Sequence, residues 1–161
     1  MATPAIDRLV QLERGGADDL DDVMTVMEAA FGDTFGEAWS RSQCAGILPM
    51  AGVVLTLARD ALTGRTCGFS LVRSVADESE LLLIAVLPAQ HRQGIGGRLL
   101  DQFIESARQE GGARVHLEVR DGNPAITMYR DAGFRPAGKR RNYYQASDGQ
   151  RYDALTLIRE L

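Results

Sequence analysis

The stretch VLPAQHRQGIGGRLL, residues 86–100, sets three glycines between an apolar run and the first turn of a helix, and the rest of the chain is read outward from it. Past the glycines, Leu99, Leu100, Phe103, Ile104 and Ala107 recur at helical spacing. Arg98, Asp101, Gln102, Glu105 and Arg108 take the opposite side, and Gly111 and Gly112 close the helix. A strand, a glycine turn and a helix in that order leave unpaired backbone N–H groups at the positive end of a helix dipole, a place that suits a phosphate. Two nucleotide templates fail. A dinucleotide fingerprint counted from Gly94 finds Leu99 where the third glycine belongs, and a Walker loop needs a Lys and a Ser or Thr that this loop lacks. What remains is a backbone cradle for a pyrophosphate, to which His91, Arg92 and Arg98 can add positive charge, or a tight connection that uses glycine only for backbone freedom.

The flanking segments predict a mixed sheet. IDRLVQL (6–12) predicts a strand, and ADDLDDVMTVMEAAF (17–31) a helix with Leu20, Val23, Met24, Met27 and Phe31 on one stripe. GEAWSRSQCAGIL (36–48) predicts a second helix. GVVLTLARD, TCGFSLVRSV and ELLLIAV form a three-strand meander with ALTGR as its first turn. After the long helix come the strand RVHLEV and the segment NPAITMYRDAGF, in which Asn123 caps, Pro124 takes the first helical position and Gly133 ends the turn. Strands around 134–144 and 152–159 finish the chain. The order predicts an α/β (α+β mixed) architecture, and no linker or repeat divides it, so residues 1–161 are expected to form one domain.

A formal net charge of −4 over 161 residues argues against a nucleic-acid footprint, which needs clustered Lys and Arg. The amino terminus lacks a basic stretch followed by an apolar core, and no apolar run approaches the roughly 18 residues of a membrane span. A cytoplasmic protein, bound neither to membrane nor to nucleic acid and monomeric or weakly dimeric, is expected. Cys44 and Cys67 stand alone, which suggests buried thiols rather than a metal site.

The loop resembles the acetyl-CoA pyrophosphate motif of the GNAT family of N-acetyltransferases, Arg/Gln-x-x-Gly-x-Gly/Ala, here His91, Arg92, Gln93, Gly94, Ile95, Gly96, followed by Gly97 and Arg98. His91 departs from the motif at its first position. LLLIAVLP is similar to the family's splayed fourth strand, VHLEVR to its fifth, and AITMYRDAGF to the helix with its LYxxxGF signature. The resemblance implies the family's fold: about seven mostly antiparallel strands and four helices, with strands 4 and 5 splayed around acetyl-CoA. It implies that the backbone of Ile84, Ala85 and Val86 pairs with the pantetheine arm as an added strand would. It also implies a place near the cofactor for Asn123, shifted by one position because VRDGNPAITM is one residue shorter than usual. Within the family, AWS (38–40), LEVR (117–120), MYRDAGF (128–134) and RRNYYQASDGQRYDAL (140–155) are similar to the bacterial RimI type, which acetylates the N-terminal alanine of a small-subunit ribosomal protein. A protein N-terminus is therefore the expected acceptor.

Amine acetylation needs an acceptor for the amine's proton, a donor to the developing oxyanion and a proton for the departing thiolate. Glu118 alternates away from Val115, Leu117 and Val119, so it faces the side of the sheet opposite the apolar set. By itself that describes a solvated carboxylate; the resemblance implies that Glu118 removes the amine proton through water. Tyr129 fits an aromatic packing on the sheet, and the resemblance makes it the general acid. Arg140, Arg141, Tyr143 and Tyr144 either line a peptide groove or decorate an exposed hairpin. Trp39 is a core or groove aromatic, and His116 a sheet-face residue. A small-molecule amine as acceptor, or a CoA-binding module without catalysis, remains open because the loop does not specify the acceptor.

Overall fold

The computed structural model describes residues 9–161. Seven strands form one sheet: β1 (Val10–Gly15), β2 (Val53–Asp60), β3 (Thr66–Val75), β4 (Glu78–Val86), β5 (Arg114–Arg120), β6 (Arg135–Gln145) and β7 (Arg151–Glu160). Among the described residues four α-helices accompany them: α1 (Leu20–Phe31), α2 (Arg41–Ile47), α3 (Ile95–Gln109) and α4 (Ile126–Asp131). The strand order is β1-β2-β3-β4-β5-β7-β6, antiparallel throughout except for the parallel pair β4–β5. The long helix α3 is the crossover that a parallel pair requires. This is the mixed α/β architecture that the order of segments predicts and the mostly antiparallel sheet that the family resemblance implies.

Several boundaries differ from the sequence reading: the helix expected over 17–31 is α-helical from Leu20, after a 3-10 turn over Ala17–Asp19, and β4 begins at Glu78 rather than Glu80; three further differences have identifiable causes. The first strand begins at Val10 and runs on to Gly15, pairing along its whole length with β2; residues 6–8 of the expected strand lie outside the described residues. Its polar end, Glu13-Arg14-Gly15, reads as loop because an edge strand exposes side chains that a central strand would bury. The second helix starts at Arg41, not Gly36. Ser40 caps it: its hydroxyl accepts from Gln43 N–H at 3.1 Å, and its own N–H donates to Gln43 Oε1 at 2.7 Å. Residues 36–39 are thereby released into a loop. The last helix starts at Ile126, after Asn123 Oδ1 accepts the Ala125 N–H at 2.8 Å.

The core has two buried clusters. One joins α1 to β2 and β3 through Val26, Met27, Leu57 and Phe69, and the other joins α3 to β5 and β7 through Leu100, Phe103, Val115, Leu117 and Leu157. Arg59 on β2 ties the edge together by ion pairs to Glu13, Asp19 and Asp22. Among the described residues no helix is long and apolar enough to cross a membrane.

The feature that makes room for a site is the failure of β4 and β5 to stay paired. Their ladder runs only from Glu78↔Arg114 to Leu81↔Leu117. At that point β4 carries a bulge: Leu71 pairs with Leu83 and Val72 with Leu81, leaving Leu82 extra. A bulge bends and twists its strand, so Leu82–Val86 follow β3 while Glu118–Arg120 follow β7, and the sheet opens between them.

Candidate functional site

A cavity of about 950 Å³ occupies that opening, a size that suits a small-molecule ligand. One wall is the backbone of β4 and the glycine loop; Ile84, Ala85, Val86, His91, Arg92, Gly94, Ile95, Gly96 and Gly97 all line it. Gly94 caps α3 in the left-handed region, φ +80°, a conformation that glycine adopts without steric cost. The first helical bond is Arg98 N–H to the Gly94 carbonyl at 3.0 Å, so helix geometry leaves the N–H groups of Ile95, Gly96 and Gly97 without intrahelical acceptors. A Cβ at Gly94 or Gly97 would meet nothing within 4 Å, which leaves space over the loop for a ligand. Free N–H groups, a helix N-terminus and open space above them fit a pyrophosphate.

The loop's charged side chains do less than the sequence suggests. His91 Nε2 lies 2.9 Å from the Val86 carbonyl, folded back onto the end of β4. Arg98 donates to the Val10 carbonyl at 2.6 Å, which ties α3 to the first strand. Gln93 is exposed and lies outside the cavity lining. Of the three expected cations, Arg92 lines the cavity while His91 and Arg98 are engaged by backbone carbonyls.

The opposite wall is built of side chains. Glu118, on β5, is far from a solvated carboxylate: only 13% of its side chain is exposed. Arg140 Nε lies 2.9 Å from Oε1 and the Thr156 hydroxyl donates to Oε2 at 2.8 Å, so both oxygens are held. Thr156 faces Glu118 directly across the β5–β7 ladder. Tyr129, on α4, is buried, with its ring edge-on to Phe134 at 6.1 Å. Burial, and after it the charge of Glu37, pushes its phenol well above the usual tyrosine range, so it keeps its proton. Tyr144 is raised in the same way, by burial first and then by the charges of its neighbours, and donates to the Glu118 carbonyl at 3.5 Å.

The structure brings Trp39, Tyr143 and Tyr144 to the cavity with Glu118 and Tyr129. Tyr143 sits at its rim, 51% exposed, with the Arg140 guanidinium 5.6 Å from its ring centroid. Two extra residues of β6 between Arg140 and Tyr144, with Asn142 at φ +53°, aim this pair of tyrosines. Arg141 is exposed and does not line the cavity. Asn123 does, but its amide is engaged within the protein: Nδ2 donates to Glu37 Oε2 at 2.8 Å while Oδ1 holds the start of α4. His116 lies beyond the narrow end of the gap, 3.6 Å from Glu80.

Sequence reasoning missed Glu37, Phe35, Arg120 and Thr156. Glu37 and Trp39 lie on a stretch that reads as helix, and nothing in the spacing of Glu37 distinguishes it from a solvated carboxylate. Thr156 gains meaning only from the β5–β7 register. Taken together, the site can hold an anion on backbone N–H groups, accept a linear chain along the open edge of β4, and present a carboxylate and a protonated phenol to a reacting group.

The model of the acetyltransferase (GNAT) family matches residues 20–134. The [ribosomal protein bS18]-alanine N-acetyltransferase of Escherichia coli strain K12 is 42% identical over 95 residues, 58% of this chain and 64% of that protein. The N-alpha-acetyltransferase RimI of Mycobacterium tuberculosis strain H37Rv is 42% identical over 91 residues, 56% of this chain and 54% of that protein. These alignments thus span less than two thirds of the relatives' own length. The crystal structure of the ribosomal-protein-S18-alanine N-acetyltransferase from Escherichia coli superposes with a TM-score of 0.84 at 30% identity, covering 94% of each chain.

Proposed function

This chain belongs to the GNAT acetyltransferase family, and we propose that within it the protein transfers the acetyl group of acetyl-CoA to the free α-amino group at a protein N-terminus. A ribosomal protein beginning with alanine is the acceptor that the names of the Escherichia coli relative and of its crystal structure point to, and the cytoplasm is where such an acceptor is met. The observation that carries the reading is the meeting of Glu118 and Tyr129 at the cavity between β4 and β5, beside a backbone cradle suited to a pyrophosphate.

Acetyl-CoA, when bound, supplies an activated acetyl thioester. The N–H groups at the start of α3 are suited to its pyrophosphate, and the edge of Leu82–Val86 that β5 leaves, apart from the Val86 carbonyl held by His91, to its pantetheine amides, as an added strand. Glu118 accepts the proton that an attacking amine must lose, directly or through a water. Arg140 and Thr156 hold its two oxygens, so the carboxylate keeps one orientation while it does so. Tyr129 enters with its proton in place and can hand it to a departing sulfur. Tyr143, Tyr144 and Trp39 supply an aromatic wall for the first residues of an acceptor chain.

The test is a panel of acceptors followed by thiol release: a peptide beginning Ala-Arg, the same peptide with its α-amine formylated, spermidine and an aminoglycoside. Turnover with the free peptide and its loss on formylation is expected. Turnover only with the small amines, or persisting on the formylated peptide, would overturn the proposal.

A further inference from the structure

The loop between α1 and α2 carries no regular structure over residues 33–40, yet it is held to the rest of the molecule at separate points. Gly36, at φ +75°, lies so close to β6 that a Cβ would sit 2.0 Å from the Gln145 carbonyl oxygen. Phe35 meets the Tyr152 ring edge-on at 5.2 Å, and the Arg120 guanidinium carbon stacks 3.6 Å over its face. Glu37 enters the cavity wall and pairs with Arg120, its Oε1 3.3 Å from Nε, while its Oε2 accepts from Asn123 at 2.8 Å. The side chains of Arg120 and Glu37 are 9% and 12% exposed.

A charge pair this deep is retained at a desolvation cost, and removing either partner strands the other. Replacing it with apolar residues of similar volume is often neutral for stability, so what such a pair does contribute is one fixed arrangement of the elements it joins. Here those elements are the reactive ones. Arg120 is two residues along β5 from Glu118 and on its side of the strand. Asn123, which holds Glu37 by one end of its amide, holds the Ala125 N–H at the start of α4 by the other, and α4 carries Tyr129. The charge of Glu37 is felt at the phenols of both Tyr129 and Tyr144.

We propose that Glu37 is a positioning residue for the acceptor: with Arg120 and Asn123 it locks the loop bearing Trp39 to the strand bearing Glu118 and the helix bearing Tyr129, so the acceptor wall is built before the acceptor arrives. The inference rests on the acceptor reading of this cavity. Preformed walls bind without first ordering a loop, so loosening the lock affects acceptor capture before the chemical step.

The variants Glu37→Ala and Glu37→Gln, as full chains, test it with an Ala-initiated peptide as acceptor. Glu37→Ala is expected to raise the acceptor KM about tenfold or more, the scale of a lost charged hydrogen bond, with a smaller fall in kcat. Its acetyl-CoA dissociation constant by calorimetry stays within about twofold, because the cradle lies on the other wall. Glu37→Gln, which can still accept from Asn123 through its one oxygen but leaves the Arg120 charge unpaired, is expected to give a KM between those of the parent and Glu37→Ala. Amide hydrogen exchange, which needs no acceptor, is expected to quicken at residues 33–40 and at the start of α4 in Glu37→Ala. An unchanged acceptor KM with unchanged exchange overturns the proposal, as does an equal loss of acetyl-CoA binding. If the parent protein turns over no peptide at all, the acceptor reading fails separately, and the exchange measurement alone decides whether Glu37 locks the loop.

Discussion

The two walls of the cavity are made in opposite ways. The wall of β4 and the glycine loop comes from one continuous stretch, 82–97, and works with main-chain groups: N–H donors at the start of α3 and an open strand edge. The facing wall draws side chains from Phe35 to Tyr144, on loops, two strands and a short helix, with Arg140 and Thr156 bracing Glu118 from outside the lining, and the charged groups Glu37, Glu118 and Arg120 in it all have partners. Main-chain recognition needs only a shape of the backbone, so it survives unusual letters. His91 stands where the family motif has Arg or Gln, and its ring turns to the Val86 carbonyl without closing the cradle. Side-chain chemistry needs particular atoms at particular places, and each of its residues is exposed to loss by one substitution.

The comparison breaks most sharply at the reactive pair. The double variant Glu118→Gln/Tyr129→Phe is expected to lose at least about a thousandfold in turnover, the scale of general base and acid together. Its acetyl-CoA affinity by calorimetry should stay near the parent's; parallel loss of both would mean that the walls are not separable. The reverse experiment is Gly97→Asp. A Cβ there meets no neighbour, and an acidic residue in the first turn favours the helix, so the melting temperature should hold or rise. The new carboxylate faces the anion, and the KM for acetyl-CoA should rise more than about tenfold while kcat at saturation falls little. Thr156→Val removes one of the two donors that orient Glu118. A fall in kcat of about tenfold, with acetyl-CoA KM unchanged, is the expected result, and an unaffected kcat would leave Arg140 as the only orienting group that matters.

The smallest effect lies beyond the narrow end of the gap. His116 is pushed above its ordinary value, chiefly by the side-chain hydrogen bond to Glu80, with desolvation opposing it and the charges of Glu80, Glu78 and Glu118 adding to it. A group whose folded value exceeds its unfolded one stabilises the fold fully below the unfolded value and ceases to do so as pH rises through the folded one. Glu80→Gln should therefore cost less than about 1 kcal/mol at acid pH, because the pair is partly exposed. The difference from the parent should fall away as pH rises through the raised His116 value, as chemical denaturation over a pH series will report.

Much of the architecture is legible in the chain because its signals are local. The stripe of α3, the Gly133 end of the short helix α4 and the alternation of β5 each follow from residues a few places apart and lie where the pattern puts them, whereas α4 begins two residues later than Pro124, at Ile126. Of the boundaries that moved, β1 continues to Gly15 because β2 is there to pair with it, while the stretch 36–39 leaves the helix at the local Ser40–Gln43 capping box and is then held by the approach of Gly36 to Gln145 and the pairing of Glu37 with Arg120.

By itself the amino-acid sequence determined the strand, turn and helix of 82–109, with glycines at the helix start, since main-chain geometry there depends on glycine placement and helical period alone. It also determined that Glu118 points away from the apolar face. Only the tertiary structure decided that β4 and β5 part at Leu81, that Glu118 is clasped by Arg140 and Thr156, and that Glu37 joins Arg120 and Asn123 across the cavity. Those contacts span 22 to 86 positions of chain. Whether such distant side chains meet depends on register and on a bulge, which no local pattern of residues encodes.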